Sequence, residues 1–294
     1  MDFDLKAAVT FVATHARILE RRRLDLMLGE GTPENVIAAL DAYRNPDGGY
    51  GWGLEPDLRS AISQPVAAMH ALELLADIRD TKTRRPVEIL DWLAGHSFDD
   101  GGVPFALAYT DTEGSAPHWT GADPSESSLQ MTTQLAAQAH RLARHRADIA
   151  GHAWLAGATR YCLTTIAETL QNPQAYELMF VMRFLDAVAG HDPRAMPSIE
   201  HFAKLVRTDR PTPVHGGAED EVLHLLDFTP YADAPLRSTF PAAAIAADMR
   251  RLAAQQQPDG GWTVDYTLYS PAAVLDWRGY ATLQSLRILG GGTL

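Results

Sequence analysis

The chain has 294 residues, of which 46% are hydrophobic and 21% charged, as is usual for a globular protein with a large core. The 25 Lys and Arg residues against 37 Asp and Glu residues give a net charge of −12, which argues against nucleic acid or an anionic membrane as the main partner. The single cysteine, Cys162, excludes an internal disulfide and a multi-cysteine metal site. With no signal-peptide pattern and no apolar run long enough for an integral membrane segment, we expect a cytoplasmic protein.

Apolar residues recur at helical spacing along almost the whole chain. The first such face runs over 5–19. Thr32-Pro33 then supplies a capping hydroxyl and a first-turn proline for a second helix, which Asn45-Pro46 ends. Further helical faces are predicted at 68–78, 86–94, 129–142, 154–170, 173–188, 199–206, 241–252 and 275–289. The pattern predicts about eleven helices and no convincing strand.

Two of these stretches differ from ordinary surface helices and loops. The segment after Pro173 is apolar on almost every side, which predicts a helix that is buried all round. Residues 98–124 form the longest irregular stretch and contain Tyr109, His118 and Trp119. Long loops in compact domains are usually functional or disordered, and the aromatic residues favour a functional loop here.

Double glycines punctuate the chain at Gly48, Gly101, Gly216 and Gly260. The gap of 115 residues between the second and third is close to two of the other gaps, which are 53 and 44 residues. Periods of this size indicate stacked supersecondary units, each predicted as a helix, a Gly-Gly turn and a second helix. About six such hairpins closing on themselves would make an all-α fold, a double-walled α/α toroid, in a single domain over 1–294.

One Gly-Gly segment resembles a known repeat. Residues Gln256 to Trp262 match the Gln-x3-Gly-x-Trp repeat of squalene–hopene cyclases and related terpenoid cyclases, whose fold protein prenyltransferase β subunits share. In the first copy, Arg44 replaces the glutamine and Tyr50 replaces the tryptophan. The resemblance implies the toroid fold and a central cavity for an isoprenoid or other apolar chain.

The catalytic motifs of those families are missing. Ser97 to Asp100 is the nearest string to the Asp-x-Asp-Asp motif of class II cyclases, and it lacks the first aspartate. Asp99-Asp100 does not complete the Asp-Asp-x-x-Asp motif of class I synthases, and Cys162 lacks the Asp-x-Cys context of the prenyltransferase zinc site. The histidines show no ligand spacing and no nucleotide-binding motif is present, so we predict no metal and no cofactor.

Charged residues precede several predicted inner helices, whose N-termini in a toroid point towards one mouth of the cavity and favour anions there. The candidate catalytic acids are Glu55, Asp57 and Asp276. The candidate substrate-binding residues are Arg59, Gln64, Glu126, Arg237 and Arg278, with Trp52, Trp119 and Tyr280 as aromatic cavity walls. The alternative is that these side chains are helix caps, ion pairs and loop anchors that join neighbouring hairpins.

The function predicted first is a terpenoid-cyclase-like enzyme that acts on a small apolar or isoprenoid substrate by acid-initiated cyclisation, with arginines gripping any diphosphate. A glycan-active enzyme of the (α/α)-barrel type, with paired carboxylates, and a toroid that binds a ligand or peptide without chemistry are the alternatives. Ring closure also predicts that Asp57 or Arg59 lies near Asp276 or Arg278. The sequence does not indicate the oligomeric state.

Overall fold

A computed structural model describes residues 3–79, 82–219, 221–266 and 268–290. The chain is mostly helical (57%) with little strand, which confirms the predicted all-α class. It divides into two compact units, Leu40–Asp192 and Met1–Ala39 with Pro193–Leu294, which are described separately below as the central unit and the terminal unit.

The central unit is built around one amphipathic helix, α7. Ser128 caps this helix by accepting a hydrogen bond from the Met131 backbone N–H, and α7 packs against two further long helices, α4 and α10. The helices of this unit are α4 (Pro65–Ile78), α5 (Arg85–Ala94), α6 (Pro117–Thr120), α7 (Leu129–Ala143), α8 (Ala147–Ala150), α9 (Ala153–Thr169) and α10 (Ala175–Val188), preceded by a 3₁₀ turn (Asp41–Tyr43). Helix α10 is the segment predicted to be apolar nearly all round, and most of its residues are buried.

The terminal unit contains both ends of the described chain. Its helices are α1 (Leu5–His15), α2 (Ile18–Met27), α3 (Pro33–Leu40), α11 (Ala195–Phe202), α12 (Leu225–Phe228), α13 (Pro235–Ser238), α14 (Ala242–Ala254) and α15 (Pro271–Leu289), with a 3₁₀ turn (Ala203–Leu205). Helix α15 packs against α1, α2 and α14. The core between them includes Phe11, Trp262 and Leu286, each of which is at most 1% exposed. The N-terminal helix therefore packs directly on the C-terminal one.

Two local predictions need correction in this unit. The apolar face predicted over 5–19 is split, because Ala16 and Arg17 adopt extended backbone and separate α1 from α2. A short strand pair, β1 (Thr212–Pro213) and β2 (Val222–Leu223), also forms where no strand was predicted. The double glycine at Gly216 belongs to this hairpin rather than to a turn between two helices, so it is not a copy of the repeat.

The other three Gly-Gly turns share one geometry. Gly48, Gly101 and Gly260 have φ values of 93°, 95° and 95°, in the left-handed region that favours glycine. In each turn the preceding aspartate accepts a hydrogen bond from the N–H of the second glycine, at 2.8–3.1 Å. The backbone therefore repeats this motif at all three sites.

Among the residues that the structure describes, no helix is both long enough and apolar enough to cross a membrane.

Candidate functional site

The first Gly-Gly turn leads directly into a buried polar cluster in the central unit. Tyr50 is fully buried, and its backbone carbonyl accepts a hydrogen bond from the N–H of Gln64, the residue before α4. The segment 51–63 is therefore a closed loop between the turn and α4. Glu55 and Asp57 lie within this loop, and each is only 4% exposed.

His70 on α4 joins two of the buried carboxylates. Its Nε2 lies 2.8 Å from Glu55 Oε2, a hydrogen-bond distance, and its Nδ1 lies 3.9 Å from Glu73 Oε2. Burial alone would lower the pKa of His70, but the hydrogen bond to Glu55 and the nearby charge of Glu73 outweigh burial and raise that pKa to about 9. At neutral pH, His70 is therefore an imidazolium held between two carboxylates.

Asp57 is fixed by its backbone on both sides. Its N–H donates to Glu55 Oε1 at 3.1 Å, and its carbonyl accepts from the N–H of Ala116 at 2.8 Å. The neighbouring Arg59 N–H lies 3.3 Å from Ser115 Oγ, which adds a second contact to the same part of the long loop. Asp57 thus lies in a segment whose backbone is hydrogen-bonded to the 98–128 loop.

Gln64 forms a two-point contact with that loop. Its Oε1 accepts from the Leu107 N–H at 2.9 Å, while its Nε2 donates to the Leu107 carbonyl at 3.1 Å. Gln64 is fully buried, so its amide holds the loop in the way a neighbouring strand would. The side-chain amide of Gln64, which the sequence suggested for binding substrate, is therefore already hydrogen-bonded to the loop.

The docked loop carries a cluster of aromatic rings. Phe105 stacks on Trp119 with ring centroids 4.8 Å apart, and His118 lies 4.7 Å from Trp119. Trp119 is only 7% exposed, and its backbone N–H donates to the Ala116 carbonyl. The same residue, Ala116, therefore connects the aromatic cluster to the backbone of Asp57.

The remaining candidates of the central unit lie in different surroundings. Trp52 is 56% exposed and has a positive φ of 58°, with its indole N–H donating to Asn45 Oδ1 at 2.8 Å. Glu126 is exposed just before α7. Neither residue joins the buried cluster of Glu55, His70 and Glu73.

Three candidates of the terminal unit, Asp276, Arg278 and Tyr280, lie on α15, and the fourth, Arg237, lies on α13. Arg278 donates two hydrogen bonds to Asp259, at 2.7 and 2.8 Å, and its guanidinium lies 4.4 Å from the ring centre of Phe11. Tyr280 contacts the guanidinium of Arg23 on α2. Asp276 is partly buried on the same helix. The predicted closeness of Asp57 or Arg59 to Asp276 or Arg278 remains a prediction.

Sequence reasoning missed His70 and Glu73. Both lie on α4, where almost every residue is buried, so a histidine and a glutamate three positions apart interrupt an otherwise apolar helix. That interruption is the signal that could have identified them, because a buried charged residue needs a partner. Among the described residues, no group of three or more histidine, cysteine or carboxylate side chains is arranged to hold a metal ion.

Comparison with known proteins supports the fold. No family model and no curated protein sequence matches the chain. The chain is similar to a structure of a variant of type II terpene cyclase MstE from Scytonema in complex with its product, merosterolic acid A. Their TM-score is 0.55 at 15% identity, over 97% of this chain and 95% of the other.

Two further structures are similar over most of their length. A variant of MstE in complex with its substrate, geranylgeranyl dihydroxybenzoate, gives a TM-score of 0.52 at 14% identity over 98% of this chain and 86% of that one. A protein from Actinoplanes gives 0.52 at 17% identity over 97% and 88%. The chain therefore has a terpene-cyclase type of fold, as the α/α-toroid prediction required.

Proposed function

We propose that the protein is a terpenoid-cyclase-like enzyme that starts the cyclisation of an isoprenoid chain by protonating one of its alkenes. The observation that carries the proposal is the buried cluster of Glu55, His70 and Glu73, together with the buried Asp57, whose backbone N–H donates to Glu55. It occurs in a chain whose fold is similar, over almost its whole length, to that of a terpene cyclase. Buried titratable groups that perturb one another are frequent at catalytic sites.

Asp57 is the proposed proton donor. Its carboxyl proton would pass to one carbon of an alkene, whose π electrons form the new C–H bond and leave a cation on the other carbon. The π electrons of a second alkene would then close a ring, and loss of a proton from the final cation would give the product and restore the acid. Asp57 is only 4% exposed, so its burial would keep water away from the cation that forms.

Glu55 and His70 are proposed to position Asp57. The Glu55 carboxylate is held by His70 on one oxygen and accepts the Asp57 N–H on the other, so it fixes the backbone of the acid. The rings of Phe105 and Trp119, which belong to the loop tied to that backbone, would stabilise the cation through their π faces. Asp276 remains a proposal as an alternative proton donor, and Arg59, Arg237 and Arg278 remain proposals for substrate binding.

The geometry supports the glycan-active alternative less well. A glycosidase needs two carboxyl groups on either side of an open space for the sugar bond. His70 instead lies between Glu55 and Glu73, with one ring nitrogen towards each carboxylate. The toroid that binds without catalysis is the remaining alternative, and only a turnover assay separates it from the enzyme.

The test uses purified protein and geranylgeranyl dihydroxybenzoate, the substrate named for the similar MstE structure. We expect a cyclised isomer of unchanged mass in liquid chromatography with mass detection. Asp57→Asn should reduce its formation by roughly 100-fold or more. Asp111→Asn, at an exposed aspartate of the 98–128 loop, is the matched control and should retain wild-type turnover. Equal turnover by the two variants would refute Asp57 as the proton donor.

A further inference from the structure

A groove lies in the terminal unit between α13 and the start of α14. It encloses about 780 Å³. Small-molecule pockets usually have roughly 300–1,000 Å³, so the groove is large enough for a ligand with an extended chain. None of the residues that line it belongs to the Glu55–His70 cluster, whose residues are all part of the central unit.

The walls of the groove are mainly apolar. Phe240 forms one wall, and Ile245, Ala246 and Met249 form another along one face of α14. Ala246 is exposed, and Ile245 and Met249 are half-buried, although α14 lies within a folded unit. A chain of methylene or isoprene groups would cover this surface and remove it from water.

Two arginines give the groove its charge. Arg237 lines it from α13 and Arg250 from α14, and no carboxylate residue lines it. The guanidinium of Arg237 is oriented by a hydrogen bond from Nη2 to the Thr229 carbonyl, at 2.6 Å. Arg251, the neighbour of Arg250, is paired with Asp248, whereas Arg250 forms no ion pair with any carboxylate that the structure describes.

We propose that this groove binds a single-chain amphiphile whose apolar chain lies along α14 and whose phosphate head is held by Arg237 and Arg250. Guanidinium groups pair with phosphate oxygens through two parallel hydrogen bonds, and two arginines match a multiply charged head better than a single carboxylate. In a protein of net charge −12, a groove with two arginines and no acid in its walls is a local site of positive charge. The proposal does not depend on the cyclisation proposed above, and it assigns Arg237 to the amphiphile in this groove instead of to the cyclisation substrate.

Isothermal titration calorimetry of the full chain tests this site. Decyl phosphate and farnesyl phosphate are the probes, and decanol and inorganic phosphate are the controls that lack the head or the chain. We expect one molecule of either amphiphile to bind, and each control to bind at least about tenfold more weakly. The tighter of the two amphiphiles identifies the source, an alkyl lipid or an isoprenoid, and either result upholds the site.

Three variants locate the binding. Arg250→Ala should weaken binding of decyl phosphate by at least about tenfold, and Ala246→Trp, which fills the groove without a change of charge, should abolish it. Arg207→Ala removes an exposed arginine outside the groove and should leave the Kd within about twofold of wild type. Equal affinities for the Arg250→Ala and Arg207→Ala variants, or undiminished binding to the Ala246→Trp variant, would overturn the proposal.

Discussion

The first and the last Gly-Gly turns have the same backbone but lead into different structures. In both, one residue three positions before the first glycine forms two backbone hydrogen bonds. Its N–H donates to the carbonyl of the second glycine, and its carbonyl accepts the N–H of the first glycine. These residues are Asn45 in the first turn and Gln257 in the last. In the last copy, Asp259 of the turn pairs with Arg278, and Trp262 directly after the turn fills the core.

After the first turn the chain forms a longer loop instead. That loop buries Glu55 and Asp57 and meets His70 of the following helix. The residue at the glutamine position also differs. Gln256 bonds to the backbone of Asp4 and Gly260, whereas Arg44 forms an ion pair with Glu88 of α5.

Under the proposed function, this difference explains how one repeat acquires a site while another remains structural. The turn itself needs only glycine and aspartate, so the residues that follow it are free to vary. The last copy uses them to hold the N-terminal and C-terminal helices together. The first copy places charged groups in the interior, where each costs free energy unless it is paired. A cost of this kind is expected at a functional site rather than at a simple packing contact.

The largest predicted effect compares the same substitution in the two turns. An alanine Cβ at Gly260 would lie 2.2 Å from the Ala7 carbonyl oxygen, but at Gly48 it would lie 3.3 Å from the Glu88 carbonyl oxygen. Both substitutions are strained by the positive φ, which costs about 1–3 kcal/mol. Gly260→Ala adds a backbone clash, so we expect it to lower the free energy of unfolding by more than about 4 kcal/mol. Urea denaturation of both variants measures this, and equal midpoints would contradict it.

The next effect concerns the buried cluster. Removing His70 leaves Glu55 and Glu73 buried without their shared cation, and breaking a buried pair costs about 3–5 kcal/mol. His70→Ala should therefore strongly lower the midpoint of urea denaturation. His215→Ala, at an exposed histidine, is the control and should change the free energy of unfolding by less than about 0.5 kcal/mol.

Two histidines should make stability depend on pH in opposite directions. The pKa of His70 is raised from 6.5 to about 9. Its contribution to the free energy of unfolding is therefore fully present below pH 6.5 and is lost as the pH rises through 9. Burial, with the charges of His191 and Arg144, lowers the pKa of His140 to about 4, so that residue destabilises the fold as the pH falls from 6.5 towards 4.

We therefore expect stability to be greatest near pH 6.5 and to fall by about 3 kcal/mol at most on the alkaline side. Thermal denaturation across this pH range measures the loss of stability on both sides of the maximum, the acid limb and the alkaline limb of the curve. His70→Ala should flatten the alkaline limb and leave the acid limb unchanged. An alkaline limb that is unchanged in the variant would show that another group causes it.

The smallest effect is expected at the structural copy. The hydrogen bonds from Arg278 lower the pKa of Asp259, but Asp259 is 43% exposed and solvent screens the pair. Arg278→Ala should therefore lower the free energy of unfolding by only about 1 kcal/mol, as urea denaturation would measure. Turnover by the same variant separates the two roles of Arg278: a structural role alone leaves turnover at the wild-type value, whereas a fall in turnover supports the proposed substrate binding.

The sequence predicted those features that depend on local chemistry. The turns at Gly48, Gly101 and Gly260 follow from glycine and aspartate alone. The role of His70 could not be predicted in the same way, because a tertiary contact with Glu55 decides it. The hairpin at Gly216 could not be predicted either, because a double glycine fits a turn between two strands as well as a turn between two helices.

The central claim is that the cluster after the first turn transfers a proton to the substrate, and turnover in D₂O tests this most directly. In D₂O the carboxyl group of Asp57 exchanges its proton for deuterium. The account predicts that the cyclised product of geranylgeranyl dihydroxybenzoate carries one deuterium on carbon, at the site of protonation, and that Asp57→Asn makes almost none of it. A cyclised product without deuterium would contradict the account, as would a labelled product formed equally well by the Asp57→Asn variant.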